Sequence, residues 1–221
     1  MSNTVPKSIK IYHIVHIDNL RSIINGAGII PQGAIFSDSI MQKFGIVNKT
    51  IGLNQIKKRR LEELTLSSYP DLHVGDCVPF YFCPRSVMLY MIHRADYSKL
   101  HYKDGQNSII HLVADFKKAR KVLKKAKLEN VFTTSNAGAE GFRDYTKTVD
   151  LKRIDWDAVN ANRWTNCKES KQAEFLVKYG FPWLLIEKIG VYSRKEYNLV
   201  KKILKDSPHK PEVEIKTDWY Y

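Results

Sequence analysis

From residue 172 to 177 the chain reads Gln-Ala-Glu-Phe-Leu-Val, a short apolar run interrupted by one acid. Strand alternation puts Ala173, Phe175 and Val177 on one face and Glu174 beside Leu176 on the other. A carboxylate there is costly unless a partner or a cleft uses it, so the sheet this chain builds must hold Glu174 at a functional or a solvated point. On the residues alone, a strand-end Glu that reaches water or pairs with a lysine explains the run about as well. A second misfit lies upstream. On the helical stretch from Leu53 to Leu64, positions 53, 56, 60 and 64 share one stripe; three are apolar and the fourth is Arg60. Arg59 points to solvent, whereas Arg60 needs a snorkelling path or an anionic partner.

The chain has 221 residues, enough for one domain that buries its own core without disulfides or metal. Cys77, Cys83 and Cys167 are odd in number and lack zinc-ligand spacing, which favours a reducing compartment, the cytoplasm by default. Met1 to Pro6 lack the apolar centre of a signal peptide, and no run approaches a membrane span. Lys and Arg number 36 against 23 Asp and Glu, a formal net charge of +13, so a polyanion such as nucleic acid is the natural partner class. Runs such as Lys117-Lys118-Ala119-Arg120-Lys121 read equally well as a solvated helix face. Twelve Tyr and four Trp among the cations suit stacked, single-stranded bases better than charge alone does.

Strands are expected at 9–16, 77–82, 108–113, 131–134, 173–177, 186–192 and 213–215. Helices are expected after Asp18 as N-cap, over 53–64, over 86–92, along the basic 117–127 stretch and around Tyr197, Val200, Ile203 and Leu204. Residues 31 to about 50 show no period and read as a mobile loop. From Ser135 to Gln172 the composition turns polar and aromatic, with one helical patch near 154–159; a loop this long leading into Glu174 reads as functional. Strands and helices mix without βαβ regularity, which points to an α+β fold in a single domain.

The common phosphate-loop, dinucleotide, zinc-protease and esterase signatures are absent, and no metal ligand set is spaced for a site. Five segments together resemble the DarT family of DNA ADP-ribosyltransferase toxins: Ile11-Tyr12-His13-Ile14-Val15-His16-Ile17-Asp18-Asn19-Leu20, the Arg59-Arg60 helix, Val78 to Ser86, Lys171 to Val177, and Asp218-Trp219-Tyr220-Tyr221. The resemblance runs essentially end to end.

It implies one ADP-ribosyltransferase domain over 1–221: a split, mixed or antiparallel sheet with peripheral helices. The cleft would take NAD as a consumed co-substrate rather than a bound cofactor. The implied activity transfers ADP-ribose to a base of single-stranded DNA, thymine N3 in the branch this chain is similar to and guanine in another. Glu174 and Arg60 match the family's catalytic pair, His13 its NAD-contacting histidine, and Tyr81 the strand flanking nicotinamide. His16 and Asn19 line the same cleft or cap the first helix. The segment 135–172 matches the substrate-recognition loop, which makes Arg143, Tyr145, Arg163 and Trp164, with Arg85, the DNA-binding candidates. The implied partner is a macrodomain antitoxin that removes the mark. Transfer to RNA or protein, or a nucleic-acid-binding module without catalysis, are the alternatives, and the presence of both Glu174 and Arg60 speaks against the last.

Overall fold

A computed structural model of the chain describes residues 4–221; residues 1–3, part of the stretch read as lacking a signal peptide, lie outside the described residues. The elements in chain order are β1 (Lys10–His16), α1 (Leu20–Ile24), β2 (Ala34–Phe36), α2 (Asp38–Lys43), α3 (Asn54–Glu62), β3 (Thr65–Leu66), β4 (Tyr69–His73), β5 (Cys77–Tyr81) and α4 (Val87–Arg94). Then follow β6 (Ile109–Asp115), α5 (Phe116–Lys125), β7 (Asn130–Thr133), β8 (Asp144–Tyr145), α6 (Trp156–Asn160) and α7 (Lys168–Lys171). The last are β9 (Glu174–Lys178), β10 (Gly180–Pro182), β11 (Ile186–Val191), α8 (Arg194–Ile203) and β12 (Glu212–Ile215).

Eight strands form one mixed sheet in the order β12-β11-β6-β1-β5-β9-β7-β8; β11 and β12 are parallel and the other pairs antiparallel. The α+β expectation therefore holds. β1 pairs with β6 along its whole length, from Lys10 opposite Asp115 to His16 opposite Ile109, but meets β5 only at Tyr12 opposite Tyr81. The sheet splits there. Pro79 in the middle of β5 fits this break: its carbonyl faces β1 and accepts a hydrogen bond from the His13 ring at 2.8 Å, so its missing N–H costs no ladder bond on that side.

One core cluster carries Phe80, Phe116, Phe132, Phe175, Phe181 and Trp183, all fully buried. Each phenyl ring contributes about 2–3 kcal/mol by leaving water. Phe116 at the start of α5 packs edge-on to Phe175 at 5.0 Å, which fixes α5 to the Phe175 face of β9. β9 lies between β5 and β7 and is buried on both faces, so the face that carries Glu174 and Leu176 is covered as well as the Phe175 face.

Three expectations are corrected. Residues 31 to about 50 are not one loop: Ala34-Ile35-Phe36 forms β2 and pairs with β10, and Ser37 caps α2 by accepting from the Ile40 N–H at 3.4 Å. Asp18 is not a cap; the His16 ring nitrogen Nδ1 accepts from the Asp18 N–H at 3.2 Å at the start of a short 3-10 turn. The segment 135–172 is not uniformly polar surface: Leu151, Ile154, Trp156 and Val159 join the main core, and Trp156 Nε1 donates to the Leu151 carbonyl at 2.9 Å.

Two glycines set the walls around the split. Gly33 has φ +79°, and a Cβ there would stand 2.5 Å from the Ile24 carbonyl oxygen, so only glycine lets β2 leave the end of α1 this closely. At Gly75 a Cβ would meet Leu61 at 2.7 to 2.8 Å; its absence lets α3 press against the 74–76 turn and brings Arg60 over the sheet.

Candidate active site

Glu174 begins β9 directly opposite Tyr81 of β5, and Tyr81 is opposite Tyr12 of β1, so the carboxylate starts at the level where the sheet splits. Its backbone is fixed by Thr133, whose hydroxyl accepts from the Glu174 N–H at 2.9 Å and donates to the Ser135 carbonyl at 2.6 Å. Arg60 Nη2 donates to Glu174 Oε2 in an ion pair whose side chains are 15% and 2% exposed. The other carboxylate oxygen, Oε1, accepts from the Ala137 N–H at 3.1 Å. Both sequence misfits are therefore one feature: the arginine on the apolar stripe and the acid in the apolar strand are each other's partner.

Arg60, Glu174, His13, Tyr81 and Asn19 line one cavity of about 230 Å³. Residues 34–38 and 48–53, with Met88 and Met91 of α4, complete its wall. Burial opposes the Arg60 charge, but the Glu174 carboxylate outweighs it and holds the guanidinium above its ordinary pKa. Burial, reinforced by the Glu174 charge, pushes the Tyr81 phenol well up, so its ring is neutral at any physiological pH. Burial also lowers His13, whose Nδ1 must carry the proton it donates to Pro79; the neutral ring keeps Nε2 as an acceptor. The Arg60 Nε is buried without a partner, a donor left over within the site.

The remaining candidates separate. Asn19 lines the cavity, yet its amide is spent on the Lys49 backbone, donating to the carbonyl at 2.9 Å and accepting from the N–H at 2.8 Å, so it positions the 48–53 wall. His16 does not line the cavity; it caps the 3-10 turn and packs on Tyr102. Arg85 lies over the Tyr221 ring at 4.4 Å, and Trp164 donates Nε1 to the Tyr221 hydroxyl at 3.2 Å and packs edge-on to Tyr90. These two, with the exposed Arg163 beside them, form a cationic aromatic cluster next to α4. Arg143 and Tyr145 lie elsewhere, at the β8 edge. The half-buried Tyr145 ring is stacked on Phe132, and the Arg153 guanidinium lies over it at 5.3 Å. Arg153 is itself paired with Asp150 at 2.9 Å.

Sequence reasoning missed Thr133, the Ala137 N–H, and the Asn136 amide that donates to Gln172 at 2.9 Å beside the cleft. Backbone donors leave no pattern in a sequence. The apolar triplet at 34–36 followed by a Ser cap was a legible sign of the β2–α2 wall.

The family model for DarT, described as ssDNA thymidine ADP-ribosyltransferase, matches residues 12–221. This chain belongs to the DarT family. A DNA ADP-ribosyl transferase of Thermus sp. (strain 2.9) is 38% identical over 100% of both chains. The solved structure of Thermus sp. 2.9 DarT in complex with ADP-ribosylated ssDNA superposes with a TM-score of 0.86 at 36% identity, covering 100% of each chain. The same Thermus DarT in complex with NAD+ gives 0.80 at 35% identity, over 99% of this chain and 100% of that one. Among the described residues no helix is long and apolar enough to cross a membrane, and Cys77, Cys83 and Cys167 are free thiols.

Proposed function

We infer that this DarT member transfers ADP-ribose from NAD to thymine N3 of single-stranded DNA and releases nicotinamide. The observation that carries the reading is the buried Glu174–Arg60 pair at the split of the sheet, in the cavity that His13 and Tyr81 also line. Family membership and the NAD+ and ADP-ribosylated ssDNA complexes of the Thermus relative support the choice of substrates.

The chemistry gives each side chain a task. As the glycosidic bond between nicotinamide nitrogen and ribose C1′ breaks, positive charge grows on the ribose. A carboxylate fixed from both sides, by Thr133 at its backbone and Ala137 at Oε1, stabilises that charge without reorganising. The bond from C1′ to thymine N3 then forms, and the N3 proton leaves through the same carboxylate or to water. Arg60 pairs with the pyrophosphate or with the developing anion on the base. His13 offers Nε2 to a ribose hydroxyl, and the neutral Tyr81 ring packs beside nicotinamide. The Arg85, Trp164 and Tyr221 cluster presents rings and charge for the unpaired strand. A macrodomain antitoxin that removes the mark, in a shared cytoplasm, completes the reading of a toxin in a toxin–antitoxin pair.

Incubation with labelled NAD and, separately, single-stranded DNA, RNA and protein tests this. Label on thymine-containing single strands alone is the expected result. Label on RNA or protein instead would replace the acceptor, and no label on any of the three would leave only a binding module.

A further inference from the structure

A basic groove of about 760 Å³ lies outside the cleft at the β8 edge of the sheet, walled by α5, the turn into β7, residues 146–148 and Tyr69. Lys117, Arg120, Lys121 and Lys124 stand at i, i+3, i+4 and i+7 on α5, one continuous face, and Lys127 and Lys147 extend it. Like charges four apart weaken a helix by a few tenths of a kcal/mol per pair, and nothing on α5 offsets them. The contrast with α3 is direct: there Lys58 and Arg59 are paired with Glu62 and Glu63 four residues on, as solvated faces usually are. Among the described residues no ion pair engages Lys121, Lys124, Lys127 or Lys147. The one carboxylate in the lining, Glu129, is taken by Lys178 at 3.1 Å. Arg120 fixes the opposite wall by donating to the Thr146 carbonyl at 2.5 Å and the Thr148 hydroxyl at 3.2 Å. A concave, pre-formed row of unneutralised cations with a tyrosine ring at one side has the chemistry of a polyphosphate track.

We propose that this groove is a second nucleic-acid contact, which holds the phosphate backbone of the single strand whose base lies in the catalytic cleft. It rests on single-stranded DNA being the acceptor. Asn130 in the lining is opposite Val177, three residues along β9 from Glu174, and β8 is two strand spacings away from β9. Those offsets amount to roughly 10 Å in each direction. Because α5 packs on the Phe175 face and Glu174 points to the other, the strand must also round the β8 edge. Only a strand several nucleotides longer than the modified base can occupy both places.

The test is the triple variant Lys121→Glu/Lys124→Glu/Lys147→Glu, all exposed positions outside the cleft. On a strand of about 25 nucleotides, KM for DNA should rise about tenfold with kcat and KM for NAD unchanged, while a strand of about 4 nucleotides should show no change. Binding of a long thymine-free strand, followed by fluorescence anisotropy without NAD, should weaken in parallel. Its slope of log affinity against log salt should flatten by about 2, the value for three lost phosphate contacts on a single strand. If the charge reversal lowers the melting temperature, Lys→Gln at the same three positions should give the same flattening. An unchanged long strand, or equal damage to long and short strands, would overturn the proposal. So would retained strand binding with lost binding to anionic phospholipid vesicles, which would assign the groove to a membrane surface. The anisotropy arm needs no transfer, so a failure of the groove and a failure of the assigned reaction give different results.

Discussion

Removing the Arg60–Glu174 pair one partner at a time, then together, should show a large non-additivity in stability. Two unit charges about 4 Å apart interact by about 4 kcal/mol at an effective dielectric near 20, and the low exposure of both side chains puts this pair in that regime rather than in water. Desolvation opposes much of the gain, so the pair as a whole adds little net stability. Breaking it is different. Arg60→Met leaves the carboxylate buried with only the Ala137 N–H, a loss of about 3–5 kcal/mol. Glu174→Gln should cost less, about 2–3 kcal/mol, because the guanidinium keeps more access to the open cavity. The double variant should be less destabilised than the two losses combined, with a coupling energy of about 2–4 kcal/mol. Urea unfolding of the four proteins without NAD or DNA measures it. A coupling below about 0.5 kcal/mol, the scale of an exposed ion pair, would refute the claim that the carboxylate is held in a desolvated, preorganised state.

Arg60→Ala should lower transfer by about 10²-fold or more, the scale of a lost electrostatic stabiliser, whereas Arg59→Ala should change it less than twofold, since Arg59 is half-exposed, lies outside the cavity lining and pairs with Glu63; initial rates on one thymine-containing strand compare them. Gly75→Ala, whose new methyl would meet Leu61, should cost about 1–3 kcal/mol in urea unfolding and reduce kcat by moving α3 and Arg60 away from the sheet. Burial drives His111 down from 6.5 to about 4, so the folded protein refuses a proton that the unfolded chain binds. Stability should therefore be full above pH 6.5 and fall as pH drops towards 4, by about 3 kcal/mol for this residue, and His13 and His16 shift in the same direction. Urea midpoints of the wild type and His111→Gln across that range should diverge towards neutral pH, with the variant flatter.

The site's charged centre was legible because it violates local pattern. An arginine on an apolar stripe and a glutamate in an apolar strand each cost energy unless used, and that cost can be read from spacing alone. Strand positions were legible for the same reason, since apolar runs such as Ile109-Ile110-His111-Leu112-Val113 have few alternatives. The triplet at 34–36 with its Ser cap marks an element, but its pairing with β10 was not legible, because three-residue strands carry too little period to name a partner and their register depends on Gly33 and on contacts remote in sequence. The segment before Glu174 misled in the opposite way: its polar composition hid Leu151, Ile154, Trp156 and Val159, which are spaced over several short turns and enter the core individually. Trp156 shows the consequence, since an aromatic side chain in a polar segment suits a stacking surface and here enters the core, while Tyr145 packs half-buried against it. The family resemblance identified the chemistry and implied a split sheet, while the place of the split, between β1 and β5 beside Glu174, became visible only in the sheet registers.

The most direct measurement is the rate of ADP-ribose transfer to a thymine-containing single strand by Glu174→Gln, alongside its affinity for NAD. The glutamine is isosteric and can still accept from the Ala137 N–H, so fold and NAD binding should persist while transfer falls by about 10²-fold or more. Transfer near the wild-type rate, with NAD bound equally well, would contradict the assignment of this buried carboxylate as the group that stabilises the ribose charge.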